Sequence, residues 1–148
     1  MVLASPGLDS TLAGWKQRLA PVLARVWPTA ALPNDVDGNT LSRDPGVGAA
    51  VARDPLCATH STARFGAAGL AEQARVRARA SRGLGVPTLV LHGEDDGLVP
   101  VSASAGFAGA PATTRRTFPG LRHELHNEPE GPAVLDQVVE WLRATCGR

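Results

Sequence analysis

Asp96 and His123 are the side chains of this chain best placed for acid–base chemistry. Asp96 lies in His92-Gly93-Glu94-Asp95-Asp96-Gly97, within the spacing Gly93-x-x-Asp96-x-x-Val99-Pro100, and His123 closes Pro119-Gly120-Leu121-Arg122-His123. Each follows a run that reads as a strand. Val86-Pro87-Thr88-Leu89-Val90-Leu91 is continuously apolar, as a strand covered on both faces of a parallel sheet must be. Arg116-Thr117-Phe118 is shorter. Open α/β sheets gather catalytic groups at the carboxyl ends of their strands, which is where both loops begin. There a carboxylate can fix the tautomer of an imidazole and stabilise its imidazolium, while the other ring nitrogen takes a proton from a hydroxyl nucleophile. Plainer roles are a turn position for Asp96, in an Asp-Gly pair, and a surface position for His123. Asp95 is the local rival acid, although the Gly93 spacing favours Asp96. His126 reads as structural.

Other groupings carry less. His123-Glu124-Leu125-His126 has the wrong spacing for zinc, because H-E-x-x-H places its second histidine four residues after the first. Asn34-Asp35-Val36-Asp37-Gly38-Asn39 hints at a calcium loop, but Pro33 occupies the first ligand position that Gly38 would require. Arg75, Arg77, Arg79 and Arg82 suit a solvated helix face. Cys57 and Cys146 are far apart and make no C-x-x-C, so they read as isolated thiols.

The elements that must position Asp96 and His123 follow from pattern. Val2-Leu3-Ala4, running into Ser5-Pro6-Gly7, reads as a short buried strand. Leu12 to Trp27 is helical, with Leu12, Trp15, Leu19, Leu23 and Val26 on one apolar stripe, and Pro21 should kink or split it. That stripe would pack on the core, line an acyl pocket or touch a membrane. Pro28 to Asn39 reads as loop. A helix is expected to start at Asp44-Pro45, a cap followed by proline, with Asp54-Pro55 marking the next turn. Ser61 to about Arg82 is helical again. Beyond the first strand–loop pair, a short helix near Ser102 to Ala108 and a last helix from about Pro132 to Ala144 complete a strand–helix–strand–helix order, hence a parallel sheet with crossover helices.

Bulk properties exclude several function classes. The 148 residues are 43% hydrophobic and 20% charged with a net charge of +1, so nothing argues for capture of nucleic acid or an anionic membrane. Lys16 is the only lysine. Nothing resembles a signal peptide or a membrane span, and a cytoplasmic location is the default expectation.

Several segments resemble the monoacylglycerol lipase and lysophospholipase branch of the α/β-hydrolases, with its serine-aminopeptidase-like hydrolase domain. They are Met1-Val2-Leu3-Ala4-Ser5-Pro6, Leu41-Ser42-Arg43-Asp44-Pro45, Asp54-Pro55-Leu56, Val86 to Asp96, and Gly120-Leu121-Arg122-His123-Glu124-Leu125-His126-Asn127-Glu128. The likeness covers essentially the whole chain, and the order and spacing of the segments make it specific. It implies the C-terminal part of an α/β-hydrolase fold plus a helical cap. Residues 1–9 would be the core strand entering the cap, 10–83 the cap over an acyl pocket, and 84–148 the C-terminal α/β core.

By the same resemblance Asp96 is the acid and His123 the base of a Ser-Asp-His triad cleaving a monoacylglycerol or lysophospholipid ester, with no cofactor and no metal. The chain departs from the family in having no G-x-S-x-G. None of Ser5, Ser10, Ser42, Ser61, Ser81, Ser102 and Ser104 sits between glycines on a strand-to-helix turn. In the family the nucleophile and the oxyanion-hole donors lie upstream of the strand that begins at Val2. The chain alone is therefore expected to be inactive. Expected partners are the ester substrate, a membrane touched by the cap, and a separate N-terminal half or a second copy pairing with the open sheet edge. The alternative is a non-catalytic acyl-binding module.

Overall fold

The computed structural model describes residues 1–34 and 36–147. A three-stranded parallel sheet runs through it in the order β1 (Val2–Ala4), β4 (Thr88–Gly93), β5 (Thr113–Phe118). Val2 stands opposite Leu89, and Thr88 opposite Thr113. Between β1 and β4 come α1 (Gly14–Val26), β2 (Ala31–Pro33), α2 (Gly38–Leu41), α3 (Pro45–Arg53), β3 (His60–Thr62) and α4 (Ala63–Arg77). A 3-10 helix, Val101–Phe107, links β4 to β5, and α5 (Gly131–Cys146) follows β5. This is a mixed α/β architecture.

The apolar run ending in β4 explains the core. Every residue of β4 is buried. Because alternate residues face opposite ways, Leu89 and Leu91 join Leu121, Leu125 and Val134 on one side, with Trp141 of α5 packed against them. Val90 faces the other way, onto Phe107 and Ala80. One strand thus holds two layers together.

Local rules account for much of the helical part. Asp44 caps α3 as its Asp-Pro pair suggested, its Oδ1 accepting from the Gly46 amide at 2.7 Å. Pro21 does not split the first helix. It lies inside α1, which buries none of its residues, so water can reach the carbonyl that loses its partner. The apolar stripe of α1 is not packed on the core: Leu19 is 53% and Val26 78% exposed.

The segment from Pro28 to Asn39, expected as loop, contains β2 and the start of α2. β2 pairs antiparallel with β3, Ala31 opposite Thr62 and Pro33 opposite His60, so the chain from Ser61 enters its helix from a strand. Three-residue strands are too short to show a period, and Pro33 argued against one. β4 keeps the expected six residues but lies two positions further on, Thr88–Gly93 instead of Val86–Leu91, and β5 is longer than expected, starting at Thr113, because each pairs along the other's full length. Asp35 of the suspected calcium loop lies outside the described residues; Asp37 serves as the cap of α2. Among the described residues no helix is long and apolar enough to cross a membrane.

Since Leu89 is fully buried at the centre of the larger core cluster, Leu89→Ala is expected to cost about 2–5 kcal/mol. The shift of the urea unfolding midpoint measures it, and a cost below about 1 kcal/mol would contradict this placement of the core.

Candidate active site

β4 delivers its loop to the site through Gly93. A Cβ there would run into the backbone carbonyls of Leu121 and Arg122, so only glycine lets the loop carrying His123 pass this close to the strand. Two backbone bonds lock the approach, Glu94 N to Phe118 O and Asp95 N to Leu121 O, each 3.0 Å. The glycine of Gly93-x-x-Asp96 therefore has a spatial purpose.

Beyond it, the Asp96 side chain is fully buried. Its Oδ1 accepts from the amides of Leu98 and Val99, both at 2.9 Å, which closes the turn and fixes the carboxylate plane. Its Oδ2 faces His123 Nδ1 at 2.8 Å. Since an ionised carboxylate only accepts, Nδ1 carries the hydrogen and His123 Nε2 is left as the acceptor. The His123 side chain is 26% exposed, with Nε2 unpartnered among the described residues. Burial opposes the charge on Asp96. Hydrogen bonds from His123, His92 and the Val99 amide outweigh that and hold its carboxyl well below the usual carboxylate range. The two sequence-predicted residues thus meet at the rim of the sheet. Their rivals stand apart: Asp95 and His126 are exposed and take no part in the contact.

The loop that carries His123 is held from the other side by residues 39–44. Glu124 N donates to Leu41 O at 2.8 Å, and Ser42 Oγ to Asn127 O at 2.8 Å. Arg122 Nη1 reaches the carbonyls of Ser42, at 3.0 Å, and of Asn39. At the centre is Glu128, whose side chain has no exposure. It accepts the Arg122 amide at 2.7 Å and Arg43 Nε at 2.8 Å, while Arg43 also pairs with Glu130. Arg43 and Glu128 both fall in the quoted motifs, but 85 residues separate them and no local spacing links them. His92, buried beside Asp96, was missed as well, because it was read as the first residue of a loop.

Away from this pair, α1 and α4 enclose a groove of about 700 Å³ lined by Leu12, Trp15, Leu23, Leu32, Phe65 and Leu70 among others. Neither Asp96 nor His123 lines it. A smaller recess of about 340 Å³ shares Ser10, Leu12, Lys16 and Pro33 with the groove and extends to Leu98, two residues from Asp96. Cys57 and Cys146 are exposed and unpaired.

The family model described as serine aminopeptidase, S33, a hydrolase family, matches residues 1–130. This chain belongs to that family. It is 35% identical over 151 aligned residues to the monoacylglycerol lipase of Mycolicibacterium smegmatis, an alignment covering 96% of this chain and 52% of that protein. The crystal structure of Paleococcus ferrophilus monoacylglycerol lipase superposes with a TM-score of 0.88 at 29% identity, over 97% of this chain and 58% of that one. A soluble variant of the Saccharomyces cerevisiae monoglyceride lipase, crystallised with a substrate analogue, shares the fold at 18% identity with a TM-score of 0.83. The S33-family chain described here therefore spans about half the length of these relatives.

Two outcomes follow from the geometry. Asp96 has its carboxyl depressed on folding, so it adds stability that is present above the ordinary carboxylate range and is lost as pH falls through and below it. Asp96→Asn is expected to flatten the fall in stability below about pH 5, measured by urea midpoints across pH; an unchanged acid limb would contradict the depressed carboxyl. Glu128→Ala leaves the Arg122 amide unpaired and is expected to cost about 1–3 kcal/mol and to broaden the His123 ring signals in NMR spectra. Sharp, unshifted His123 signals would show that the clamp does not position the histidine.

Proposed function

We propose that this chain supplies the acid, the base and the acyl-binding surface of a serine hydrolase that cleaves the carboxylic ester of a monoacylglycerol. The observation that carries the reading is the contact between Asp96 Oδ2 and His123 Nδ1 at the rim of a parallel sheet. With Nδ1–H held by the carboxylate, His123 Nε2 takes the proton of a serine hydroxyl as its oxygen attacks the ester carbonyl. Nε2 then gives that proton to the departing glycerol oxygen, leaving an acyl-serine. Water attacks the acyl group in the second half, with His123 again first base and then acid.

The serine and the oxyanion donors come, in this proposal, from a polypeptide segment bearing G-x-S-x-G that joins the sheet beside β1. The groove between α1 and α4 takes the acyl chain: its volume of about 700 Å³ falls within the range of small-molecule sites, and its lining is largely apolar. The recess beside it reaches Leu98, two residues along the chain from Asp96. Exposed Trp15, Leu19 and Val26 on α1 suit peripheral contact with the lipid surface that holds such a substrate. A lysophospholipid is the alternative ester. A non-catalytic acyl carrier is the second reading, favoured by an apolar groove in a chain that has no G-x-S-x-G; lipid retained on purification, with no hydrolysis under any pairing, would select it.

A chromogenic short-chain ester tests the main reading. The purified chain is expected to turn it over negligibly, and addition of the separately produced part of the Mycolicibacterium lipase that this chain does not cover is expected to give turnover that a fluorophosphonate abolishes. In that pair, His123→Ala should lower the rate by about 10⁶ and Asp96→Asn by about 10⁴. Fluorophosphonate-sensitive turnover by this chain alone, or a reconstituted rate indifferent to His123→Ala, would overturn it.

A further inference from the structure

Lys16 is the single lysine of the chain, and it stands where two cavities meet. The groove between α1 and α4 and the smaller recess reaching Leu98 share Ser10, Leu12, Lys16 and Pro33. Their characters differ. Leu12, Trp15, Leu23, Phe65 and Leu70 make the groove largely apolar, whereas the recess adds Thr11 to Ser10 and Lys16. Among the described residues, Lys16 is the one charged side chain that lines either cavity.

Nothing described nearby neutralises that charge. Among the described residues Lys16 enters no ion pair. Its Nζ lies 5.8 Å from the centroid of the Trp15 ring, near the outer limit of a cation–π contact, which keeps the ammonium by the groove wall. The nearest acid along the chain, Asp9, is committed elsewhere: Oδ2 pairs with Arg77, and Oδ1 accepts the Ser10 amide at 2.8 Å. Carbonyls around the recess are occupied too. Leu12 O accepts from Gln17 Nε2 at 2.8 Å, and Ala13 O accepts the amides of Lys16 at 2.9 Å and Gln17 at 3.2 Å. A cation with no described acceptor of its own, beside an apolar groove, is complementary to an amphiphile whose polar end is an anion.

We propose that groove and recess together bind a long-chain fatty acid as its carboxylate, with the tail in the groove and Lys16 on the carboxylate. The proposal rests on reading the groove as an acyl site, and in the proposed reaction this ligand is the acid product. One ammonium balances one negative charge. A phosphocholine or phosphoethanolamine head would bring its own cation into a recess whose one described charged group is Lys16, with no described carboxylate lining it to receive that cation. A carboxylate carries its charge directly at the end of the tail, so it meets Lys16 while the tail stays in the groove that Lys16 also lines. A neutral ester or alcohol gains no charge pairing from the ammonium. Lys16 thus favours the released acid over the uncleaved ester, and accumulating product competes with substrate for the same groove.

Tryptophan fluorescence of the full chain, titrated with dodecanoate and separately with dodecanol, tests this, because Trp15 lines the groove and the two ligands share one tail. Both are expected to change the emission, and Trp15→Phe to remove that change. Lys16 is exposed, so its variants should fold. Lys16→Gln should weaken dodecanoate about fivefold and dodecanol less than about twofold, while Lys16→Arg keeps the wild-type affinity for both. Raising the salt concentration should weaken dodecanoate in the wild type and leave Lys16→Gln unmoved. Dodecanoate affinity unchanged in Lys16→Gln, or an equal loss for acid and alcohol, would overturn the proposal and leave the acyl reading of the groove standing. Failure of both ligands to bind would remove the acyl reading itself, and the proposal with it.

Discussion

A carboxylate buried at the end of a β-strand is the constraint on which the site depends. Removing a charge from water costs several kcal/mol unless donors replace the lost hydration. Asp96 meets that requirement with the amides of Leu98 and Val99 on one oxygen and the rings of His123 and His92 on the other. Two of these donors come from its own turn, one from the strand below and one from a loop 27 residues on. The carboxylate is ionised because they converge, and they converge because the sheet brings β4 and β5 side by side.

The partner loop is constrained from two directions. Gly93 lets the backbone of Leu121 and Arg122 lie against the strand end, which sets how near His123 comes. From the far side, Glu128 gathers the Arg122 amide and the Arg43 side chain. An exposed ion pair would add little, but Glu128 is buried and both its oxygens are taken, Oε1 by the Arg122 amide and Oε2 by the amide and Nε of Arg43, so the clamp is directional. The helical segment between β1 and β4 is thereby mechanically connected to His123. Anything that shifts residues 39–44 acts on the loop that carries His123.

Much of this was legible in the sequence where the chemistry is local. The apolar run before Gly93 carried the signature of a doubly covered strand, and Asp44-Pro45 that of a helix start. The Gly93 spacing favoured Asp96 over Asp95, while His126 was read as structural. What was not legible depends on pairs distant in the chain. Arg43 and Glu128 each look like ordinary surface charges until the fold brings them together. His92 was hidden by the ±1–2 residue ambiguity of a strand end: counted as loop, it is solvated; counted as strand, it must be buried and satisfied. β2 and β3 are too short for any period to reveal, and they become visible only through each other. The amphipathic stripe of α1 was read correctly as a stripe, but periodicity states only that a face is apolar and leaves open what lies against it.

The arrangement of groove and acid–base pair has a mechanistic consequence. The histidine tautomer is set entirely by Asp96, and Asp96 is set entirely by residues of β4, its loop and the loop after β5. Among the described residues the group bearing on Nδ1 is Asp96, so the ring of His123 is oriented by this chain itself. Pre-orientation of that kind removes reorganisation from the step in which the proton moves. The groove between α1 and α4 is likewise formed by residues of this chain; in the proposed reading it takes the acyl group. In the proposed reading, a nucleophile brought from elsewhere would then have to place one hydroxyl within about 3 Å of His123 Nε2 and to bring the oxyanion donors with it.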